Sequence, residues 1–502
     1  MPFQYPEEIS PRLQKHCARL RELDRAIPEL EAKLDRLLRE RRALRREVRA
    51  YPILTLPNEL TTEIFINCLS PGRVMPHPRT PPLLLAQVCR KWREIAFSVP
   101  ELWNSIRPRR VSDNTVRLLD LWSKRAGILP ISISLSLGAQ QHLPPSLPSW
   151  ASTHSNRWEN VSLVLSDADL IRFNWMDVSA LKTLVIGRGE PFGTLRLHKV
   201  IRGFERAKHL REVTLLRGLG PSNIDLKWDQ LTTLSATDLT VRECVDALRS
   251  ASRLTRFTVY IRTDTINSQP IHPKLRHSRL QQLILKYGAG HIDLLRRLEL
   301  PSLTRVQLSL ESGAENLDNF IEFGAQALLL QHLSVEAGTL SPTEILRCLT
   351  ATPAVTMLEF HSPFRLATAQ IWRGLTPHGL GQSPATVICL PALTHLRMTD
   401  EGGNLDDAAY TALAGMLTSR NGQGAKEVAK LRLLSLMLLA QSNPPNALVV
   451  KQLDDLRGMD IDICIETRNQ QLYPANPLDV VQPRGCNRSF SSLVEQVVDL
   501  HK

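Results

Sequence analysis

One short apolar pattern recurs through most of this sequence and limits the folds that the chain can adopt. An apolar residue is followed by two mostly polar residues, a second apolar residue, any residue and a third apolar residue, as in "LKTLVI" at 181 and "LTRFTV" at 254. The copies begin at 158, 181, 210, 231, 254, 280, 303, 330, 355, 393, 431 and 456. Because each copy is too short to bury its own apolar face, successive copies must stack on one another. The pattern predicts an α/β solenoid in which each strand is followed by a helix or a turn.

The segments between these copies carry signals for helix starts. Thr240 is followed three residues later by Glu243, and Ser341 is followed in the same way by Glu344. This spacing is typical of a capping box, in which the two side chains satisfy backbone N–H groups of the first helical turn. The alternating "ISISLSL" at 131–137 predicts a half-exposed strand that begins or caps the array.

A different period occupies the first fifty residues. One seven-residue series holds Leu13, Leu20, Ile27, Leu34 and Val48, and a second series three places later holds Leu23, Leu30, Leu37 and Leu44. Apolar steps of three and four predict a coiled-coil seam, which Arg41 interrupts. Since Pro28 has no backbone N–H and suits a first turn, we expect the helix to begin near Pro28.

The end of this coil, residues 36–49, holds seven arginines and two glutamates. A basic zipper that reads DNA places its arginines before the coil, whereas here they interleave with the end of the coil. The pattern therefore favours a solvated, self-associating or intramolecular helix over a nucleic-acid contact, with self-association through residues 13–50 as one interpretation.

Between residues 51 and 107 two amphipathic segments flank a proline-rich loop. The first segment places Leu56, Leu60, Ile64, Cys68 and Leu69 on one helical face. The second shows Leu85, Val88, Cys89, Trp92, Ile95 and Ala96 on one side, and Pro100 ends it before Leu102 and Trp103. Short helices of this size cannot bury all of these side chains among themselves, so another domain or another protein must cover part of the surface.

This segment resembles the F-box, through "LPNEL", "EIFINCL", "LLLAQVCRKWREIA" and "VPELW" in that order. With a leucine-rich coil running straight into it, the chain resembles the F-box proteins of mushroom-forming fungi. The resemblance implies docking onto a Skp-type adaptor, which links F-box proteins to a cullin–RING ubiquitin ligase. Carried over position by position, the resemblance implies adaptor-binding side chains at Leu56, Pro57, Leu60, Ile64, Leu69, Leu84, Val88, Cys89 and Trp92.

The array downstream is similar to leucine-rich repeats, which implies a horseshoe. The Asn or Cys that usually follows the strand is replaced here by Gly189, Arg262, Gly288, Glu311, Gly338 and Glu401, so we expect an irregular array. Two copies are followed by longer connections, and insertions in solenoids often form binding edges. From the first insertion we take Phe364, Arg365, Trp372 and Arg373 as candidate contacts to a protein client.

The remaining patterns favour neither catalysis nor metal binding. The eight cysteines contain no C-x-x-C pair, the histidines form no H-x-x-x-H, and the glycines of "GRGEPFG" at 187–193 have the wrong spacing for a phosphate loop. We interpret that glycine segment as a repeat turn and predict no catalytic residue, cofactor or metal.

The sequence shows neither a secretory signal nor an apolar run long enough for a membrane span, so we expect a soluble protein of the cytoplasm or nucleus. A net charge of +12 permits acidic partners without selecting one.

Together these patterns divide the chain into five segments. They are a coiled-coil segment at 1–50, the F-box at 51–107, a linker and array start at 108–157, the solenoid at 158–466 and a tail at 467–502. The sequence predicts a substrate-recruiting subunit of a Skp–cullin–F-box ubiquitin ligase that binds its adaptor through the F-box and an unknown protein client through the array. The alternative is a scaffold outside any ligase, in which the F-box-like helices only cap the solenoid.

Overall fold

The chain divides into two compact units. The computed structural model describes residues 11–48, 56–69, 74–138, 141–174, 176–189, 200–262, 274–286, 291–310, 313–363, 366–377, 389–402, 405–422, 428–439, 445–458, 461–467 and 471–473. The first unit is Met1–Ile106 with Lys124–Gly127, and the second is Arg107–Ser123 with Ile128–Lys502. No helix in the described stretches combines the length and the apolar composition that a bilayer crossing requires. Residues 474–502 of the tail lie outside the described residues.

The described part of the first unit is mainly helical. Its elements are α1 (Pro11–Val48), α2 (Asn58–Asn67), α3 (Leu85–Val88), α4 (Arg90–Ser98), a 3-10 turn at Pro100–Leu102 and the short strand β1 (Ser105–Ile106).

The helix α1 is longer than the sequence predicts. We expected it to begin near Pro28, but it begins at Pro11 and continues through Pro28 to Val48. An interior proline removes one backbone hydrogen bond, while the leucine, arginine, glutamate and lysine residues on both sides are strong helix formers. The surrounding propensity offsets the local loss, and the prediction of a start at Pro28 is wrong.

The second unit alternates strands with helices or turns. Its helices are α5 (Asp113–Arg125), α6 (Leu147–His154), α7 (Asp167–Ile171), α8 (Val241–Ser250), α9 (His291–Arg296), α10 (Ala314–Gln326), α11 (Pro342–Thr350), α12 (Ala369–Gly374), α13 (Asp407–Asn421) and α14 (Ala447–Arg457). Short 3-10 turns lie at Ser155–Arg157, Phe204–Arg206, Pro221–Asn223 and Trp228–Gln230. Its strands are β2 (Ile131–Ser136), β3 (Trp158–Leu165), β4 (Thr183–Arg188), β5 (Glu212–Leu216), β6 (Thr233–Leu239), β7 (Arg256–Ile261), β8 (Leu275–Arg276), β9 (Gln282–Lys286), β10 (Leu298–Glu299), β11 (Arg305–Leu310), β12 (His332–Ala337), β13 (Met357–Ser362), β14 (His395–Asp400), β15 (Leu433–Leu438), β16 (Asp462–Thr467) and β17 (Gln471–Tyr473).

Most of these strands form one open sheet in chain order. It runs from β2 to β7 and then through β9 and β11 to β17, while β8 and β10 form a separate parallel pair. From β2 to β16 the neighbouring strands are parallel, and β17 pairs antiparallel with β16. An open parallel sheet built one strand per repeat, with no closure, is the solenoid-like arrangement that stacked copies require.

The apolar pattern explains which side of the sheet is buried. In β12 the side chains of Leu333, Val335 and Ala337 are buried, and those of His332 and Ser334 are half-buried. The same alternation holds in β11, β13 and β14, and the partners in neighbouring strands are aligned without a shift. The apolar side chains therefore form continuous rows against the helices and turns, because successive residues of a strand point to opposite faces.

A backbone contact at the entry to each strand repeats along the sheet. The carbonyl oxygen of the residue just before one strand accepts two successive N–H groups from the entry to the next strand: the Thr232 carbonyl, just before β6, accepts from Thr255 and Arg256, at 2.9 and 3.1 Å. We call these acceptors the entry carbonyls; they belong to Lys182, Arg211, Thr232, Thr255, Gln281, Thr304, Gln331, Thr356 and Thr394. In five repeats a threonine hydroxyl donates to the same oxygen, namely those of Thr232, Thr255, Thr304, Thr356 and Thr394.

The turns after the strands are bonded through the backbone. At four positions where an Asn or Cys side chain is usual, the backbone N–H groups of Gly189, Arg262, Gly338 and Glu401 donate to a carbonyl oxygen at the end of the neighbouring strand, one repeat earlier. A Cβ on Gly189 would lie 2.6 Å from the Leu137 carbonyl oxygen, so this glycine allows close backbone packing. The other two replaced positions, Gly288 and Glu311, and residues 190–193 of the glycine segment lie outside the described residues.

Most sequence-based strand and helix predictions agree with the structure. Every copy of the apolar pattern except the last begins a strand within two residues of its start, and the capping boxes at Thr240 and Ser341 are both confirmed. The copy at 456 is wrong, because Leu456 belongs to a buried face of α14 and β16 begins only at Asp462. The segment at 131–137 forms β2 as expected, but it is mostly buried, and even Ser134 is only 5% exposed.

One fully buried arginine joins the two sides of the longer connection after α12. The guanidinium of Arg420 in α13 donates to the backbone carbonyls of Leu375, Leu390 and Cys389, at 2.9, 3.2 and 2.8 Å. These carbonyls flank residues 378–388, which lie outside the described residues. Burial lowers the pKa of Arg420 to about 10, so the guanidinium is still protonated at neutral pH.

Replacing Arg420 with methionine should destabilise the second unit. Arg420→Met leaves three buried carbonyls without their donor, and we expect it to lower the free energy of unfolding by about 3 to 5 kcal/mol. Urea denaturation followed by tryptophan fluorescence measures the change. The matched control is Arg432→Met, because Arg432 is exposed and its substitution should change stability by under about 0.5 kcal/mol. Equal losses in both variants would contradict the role of Arg420.

Candidate docking surface on α2 to α4

The helix α2 has one apolar face turned inward and one turned outward. Its start is fixed by Pro57, whose carbonyl accepts the N–H of Thr61 at 3.1 Å and its hydroxyl at 3.0 Å. Thr61 and Phe65 are buried, while Leu60 and Ile64 remain 48% and 39% exposed. Since residues four apart share a helix face, Leu60 and Ile64 form an apolar stripe opposite the buried side.

The second amphipathic segment is two helices, not the single helix that the sequence predicts. Helix α3 ends at Val88, Cys89 is extended with φ −157° and ψ 172°, and α4 begins at Arg90. The Cys89 sulfur accepts the Trp92 N–H at 3.4 Å and so takes the place of an N-cap oxygen. The Arg93 Nε donates to the Ala86 carbonyl at 2.8 Å, which satisfies an acceptor that the break leaves without its helical partner.

Aromatic contacts close the inner side of this unit. The Phe65 and Trp92 rings meet edge to face with centroids 4.9 Å apart, which joins α2 to α4. Trp103 is fully buried, and its indole N–H donates to the Ala96 carbonyl at 2.7 Å. Arg125, at the end of α5, belongs to this first unit, and its guanidinium lies 4.3 Å from the centroid of the Trp103 ring. Burial lowers the pKa of Arg125. The small helices therefore have their own packed interior.

All nine predicted adaptor-binding residues keep accessible surface in front of that interior. Leu60, Ile64, Leu84 and Val88 are 48%, 39%, 40% and 55% exposed, Pro57 is exposed, and Leu56, Leu69, Cys89 and Trp92 are half-buried. We call these nine side chains the docking face. By contrast, the neighbours Phe65, Leu85, Ile95 and Ala96 are buried and belong to the interior. Contact between the docking face and an adaptor stays a prediction.

The chemistry of the docking face is that of an apolar contact surface. Aliphatic side chains at these exposures lose contact with water when a partner covers them, and that burial drives association. The buried thiols of Cys348 and Cys389 are not prepared for nucleophilic attack, because burial raises the pKa of Cys348 to about 12 and that of Cys389 to about 11. Within the described stretches, no three His, Cys, Asp or Glu residues form a group that could hold a metal ion.

The predicted client contacts are only partly on the surface. Phe364 and Arg365 lie outside the described residues. Arg373 is exposed, but Trp372 is fully buried, because α12 turns Ile371 and Trp372 into the interior. The prediction that Trp372 contacts a client directly is therefore wrong, and this tryptophan packs the repeat.

The half-exposed face of the sheet carries a polar cluster that the sequence analysis missed. His332 Nε2 lies 3.2 Å from one carboxylate oxygen of Glu359, and the Arg397 guanidinium donates to the other at 3.2 Å. Hydrogen bonding to His332 lowers the pKa of Glu359, although burial opposes the shift. Glu359 and Arg397 are aligned partners on adjacent strands. The sequence does contain a sign of this pair: Glu359 and Arg397 occupy the same place in the repeated pattern, one residue after the buried Leu358 and Leu396.

Replacing Cys89 with serine separates its role as a cap from its role as an apolar contact. Serine is among the best N-cap residues, so Cys89→Ser should raise the free energy of unfolding of the first unit by about 0.5 to 1 kcal/mol. Cys89→Ala, which removes the acceptor, should lower it by a similar amount. Thermal denaturation of the two variants beside the unsubstituted chain measures both changes, and a more stable alanine variant would rule out the capping role.

The comparisons with known proteins concern this same part of the chain. A family model described as F-box-like matches residues 53–109. A search of the curated proteins found none that matches this chain. F-box domains bind Skp-type adaptors in cullin–RING ligases, and F-box proteins are generally adaptors without enzymatic activity. Residues 53–109, which include α2, α3, α4 and the docking face, are therefore an F-box-like domain.

Proposed function

We propose that this chain is the substrate-recruiting subunit of a Skp–cullin–F-box ubiquitin ligase in the cytoplasm or the nucleus. In this proposal the docking face binds a Skp-type adaptor, and the sheet of the second unit holds a protein client. The family match at residues 53–109 supports the first contact. The chain itself performs no chemistry; it brings a client lysine close to the ubiquitin-charged enzyme, which raises the effective concentration of that lysine.

The observation that carries the proposal is the separation of the docking face from a closed interior. Phe65 and Trp103 are fully buried within the small helices, yet Leu60, Ile64 and Val88 in front of them stay 39 to 55% exposed. An apolar surface that only served packing would be covered by the chain. A surface kept open over its own packed core is typical of a binding site for another protein.

We also propose that the second unit is an irregular leucine-rich-repeat array and that its half-exposed sheet face contacts the client. Support comes from the one-strand repeat, the buried leucine rows and the polar cluster around Glu359. In this proposal Arg373 is an additional contact at the edge of the array.

A pair of isoleucines on α2 offers a sharp test of adaptor binding. Ile64 and Ile66 are 39% and 38% exposed, but they lie on opposite sides of the buried Phe65, and only Ile64 belongs to the docking face. Ile64→Asp should weaken binding to a purified recombinant Skp-type adaptor by about 30-fold or more, because it would place a carboxylate in an apolar interface. Ile66→Asp should change the dissociation constant by less than about threefold. Isothermal titration calorimetry measures both constants.

The outcomes of this test separate the ligase from the scaffold. If both variants bind the adaptor equally weakly and denature at the same temperature as the unsubstituted chain, the docking face is not the adaptor site. If the unsubstituted chain does not bind the adaptor at all, the scaffold alternative replaces the ligase subunit. Val88→Asp on α3 is a second variant of the same kind, since Val88 is 55% exposed and its replacement should not disturb the interior.

A further inference from the structure

The apolar seam of α1 is exposed along its whole length. It consists of Leu13, Leu20, Leu23, Ile27, Leu30, Leu34, Leu37 and Leu44, whose side chains are 40 to 64% exposed. The helix that presents them spans 38 residues without a break, so these side chains lie along one line, which His16 and Arg41 interrupt. The intramolecular alternative from the sequence analysis finds no support, since no described residue of the chain covers this line.

The period of the seam identifies what can cover it. A strict seven-residue period sustained over several turns is typical of a helix paired with another helix, because a partner with the same period places its side chains into the gaps of the first. The α1 helix itself has this spacing, so a second copy of the chain is complementary to it. We propose that α1 pairs with α1 of a second copy as a parallel, in-register, two-stranded coiled coil.

Charged residues beside the seam favour the parallel orientation. In a parallel pair, the residue just before one seam position faces the residue five places later on the partner, so Arg19 faces Asp24 of the second copy. In the antiparallel pair that overlaps the full seam, Asp24 would face Glu31, and this repulsion would occur twice. All three side chains are exposed, and Arg19 also forms an ion pair with Glu22 of its own helix at 2.6 Å. The contact between Arg19 and Asp24 favours the parallel pair and the contact between Asp24 and Glu31 disfavours the other, while Arg41 facing Arg41 of the second copy weakens the parallel pair.

The one charged residue in the seam favours two strands over three or four. Arg41 occupies a place where the period calls for an apolar side chain, and it is exposed. In a two-stranded coil an arginine at this place can extend its aliphatic stem along the seam and keep its guanidinium in water. A larger bundle would enclose it, so a polar residue at one such place selects the smaller assembly at a cost in stability.

Pairing through α1 gives the assembly two F-box-like domains. Both copies run in the same direction, so both domains follow the same end of the coil. This inference does not rest on adaptor binding, because the α1 seam and the docking face use different side chains.

The mass of the full chain in solution tests the pairing. Sedimentation equilibrium should give twice the chain mass of 56.5 kDa. Leu30→Glu combined with Leu37→Glu should give the mass of a single chain, since it places four carboxylates in the paired seam. The matched control is Ala18→Glu with Ala32→Glu, which adds the same charge at exposed positions away from the seam and should leave the dimer intact. An unsubstituted chain that stays monomeric at its highest soluble concentration, or a seam variant that stays dimeric, would overturn the proposal.

Two gain-of-contact variants test the register without depending on loss of structure. Arg41→Leu should tighten the dimer by about tenfold or more, because it replaces a charged seam residue with the apolar one that the period calls for. In a Cys17→Ser background, Leu30→Cys should form an intermolecular disulfide under mild oxidation, since residue 30 faces itself only in the parallel in-register pair. The same background without Cys at position 30 is the control. A weaker Arg41→Leu dimer, or no cross-link above the control, would contradict the arrangement.

Discussion

The entry carbonyls hold the second unit in register, and the rest of that unit depends on them. Each of these oxygens accepts two N–H groups from the next repeat, as the Gln281 carbonyl does from Thr304 and Arg305. A shift of one residue at any entry would turn a whole row of leucines from the buried side to the open side. Because side-chain identity does not alter a backbone oxygen, connections between repeats can differ in length and content while the leucine rows stay continuous. The threonine hydroxyls add a third donor without changing this geometry.

The short helices α2, α3 and α4 of the first unit are under a different constraint: they must be stable and yet leave apolar side chains exposed. The edge-to-face contact of Phe65 with Trp92 and the buried Trp103 supply a core that a segment of this length would otherwise lack. The break at Cys89 turns α4 relative to α3, so that Val88 lies outside while Ile95 and Ala96 lie inside. A continuous helix would have placed the residues of α3 and α4 on one common stripe. The division between inner and outer residues therefore comes from the break.

Short-range spacing in the sequence was enough to predict most strands and the apolar stripe on α2, from apolar residues, and the two capping boxes, from a Thr or Ser three residues before a Glu. These features arise from local periodicity, which a linear pattern records fully. The sequence could not predict the break at Cys89, because a thiol is not a usual cap and the apolar spacing continues across it. It also could not place Trp372, since a large aromatic residue in an insertion fits a binding edge and a packed repeat equally well. The copy at 456 was ambiguous for a related reason: leucines of a short helix can imitate the start of a strand.

Polar side chains that act between distant segments were the least predictable part of the fold. Arg420 reaches carbonyls 30 to 45 residues away in the chain, and Glu359 meets Arg397 38 residues away. A local sequence pattern cannot predict these contacts, because the partners are adjacent only after the repeats have stacked. Such contacts become visible once the register is known, as the aligned positions of β13 and β14 show.

The way Arg420 is bound has a consequence for how this protein can change over time. Its partners are main-chain oxygens of Leu375, Cys389 and Leu390, so the attachment survives replacement of any of these three side chains, and the connection between them is clamped at both ends. Substitutions of the side chains of Leu375, Cys389 and Leu390 therefore leave these bonds in place. We expect related chains to retain the arginine even where these three side chains differ.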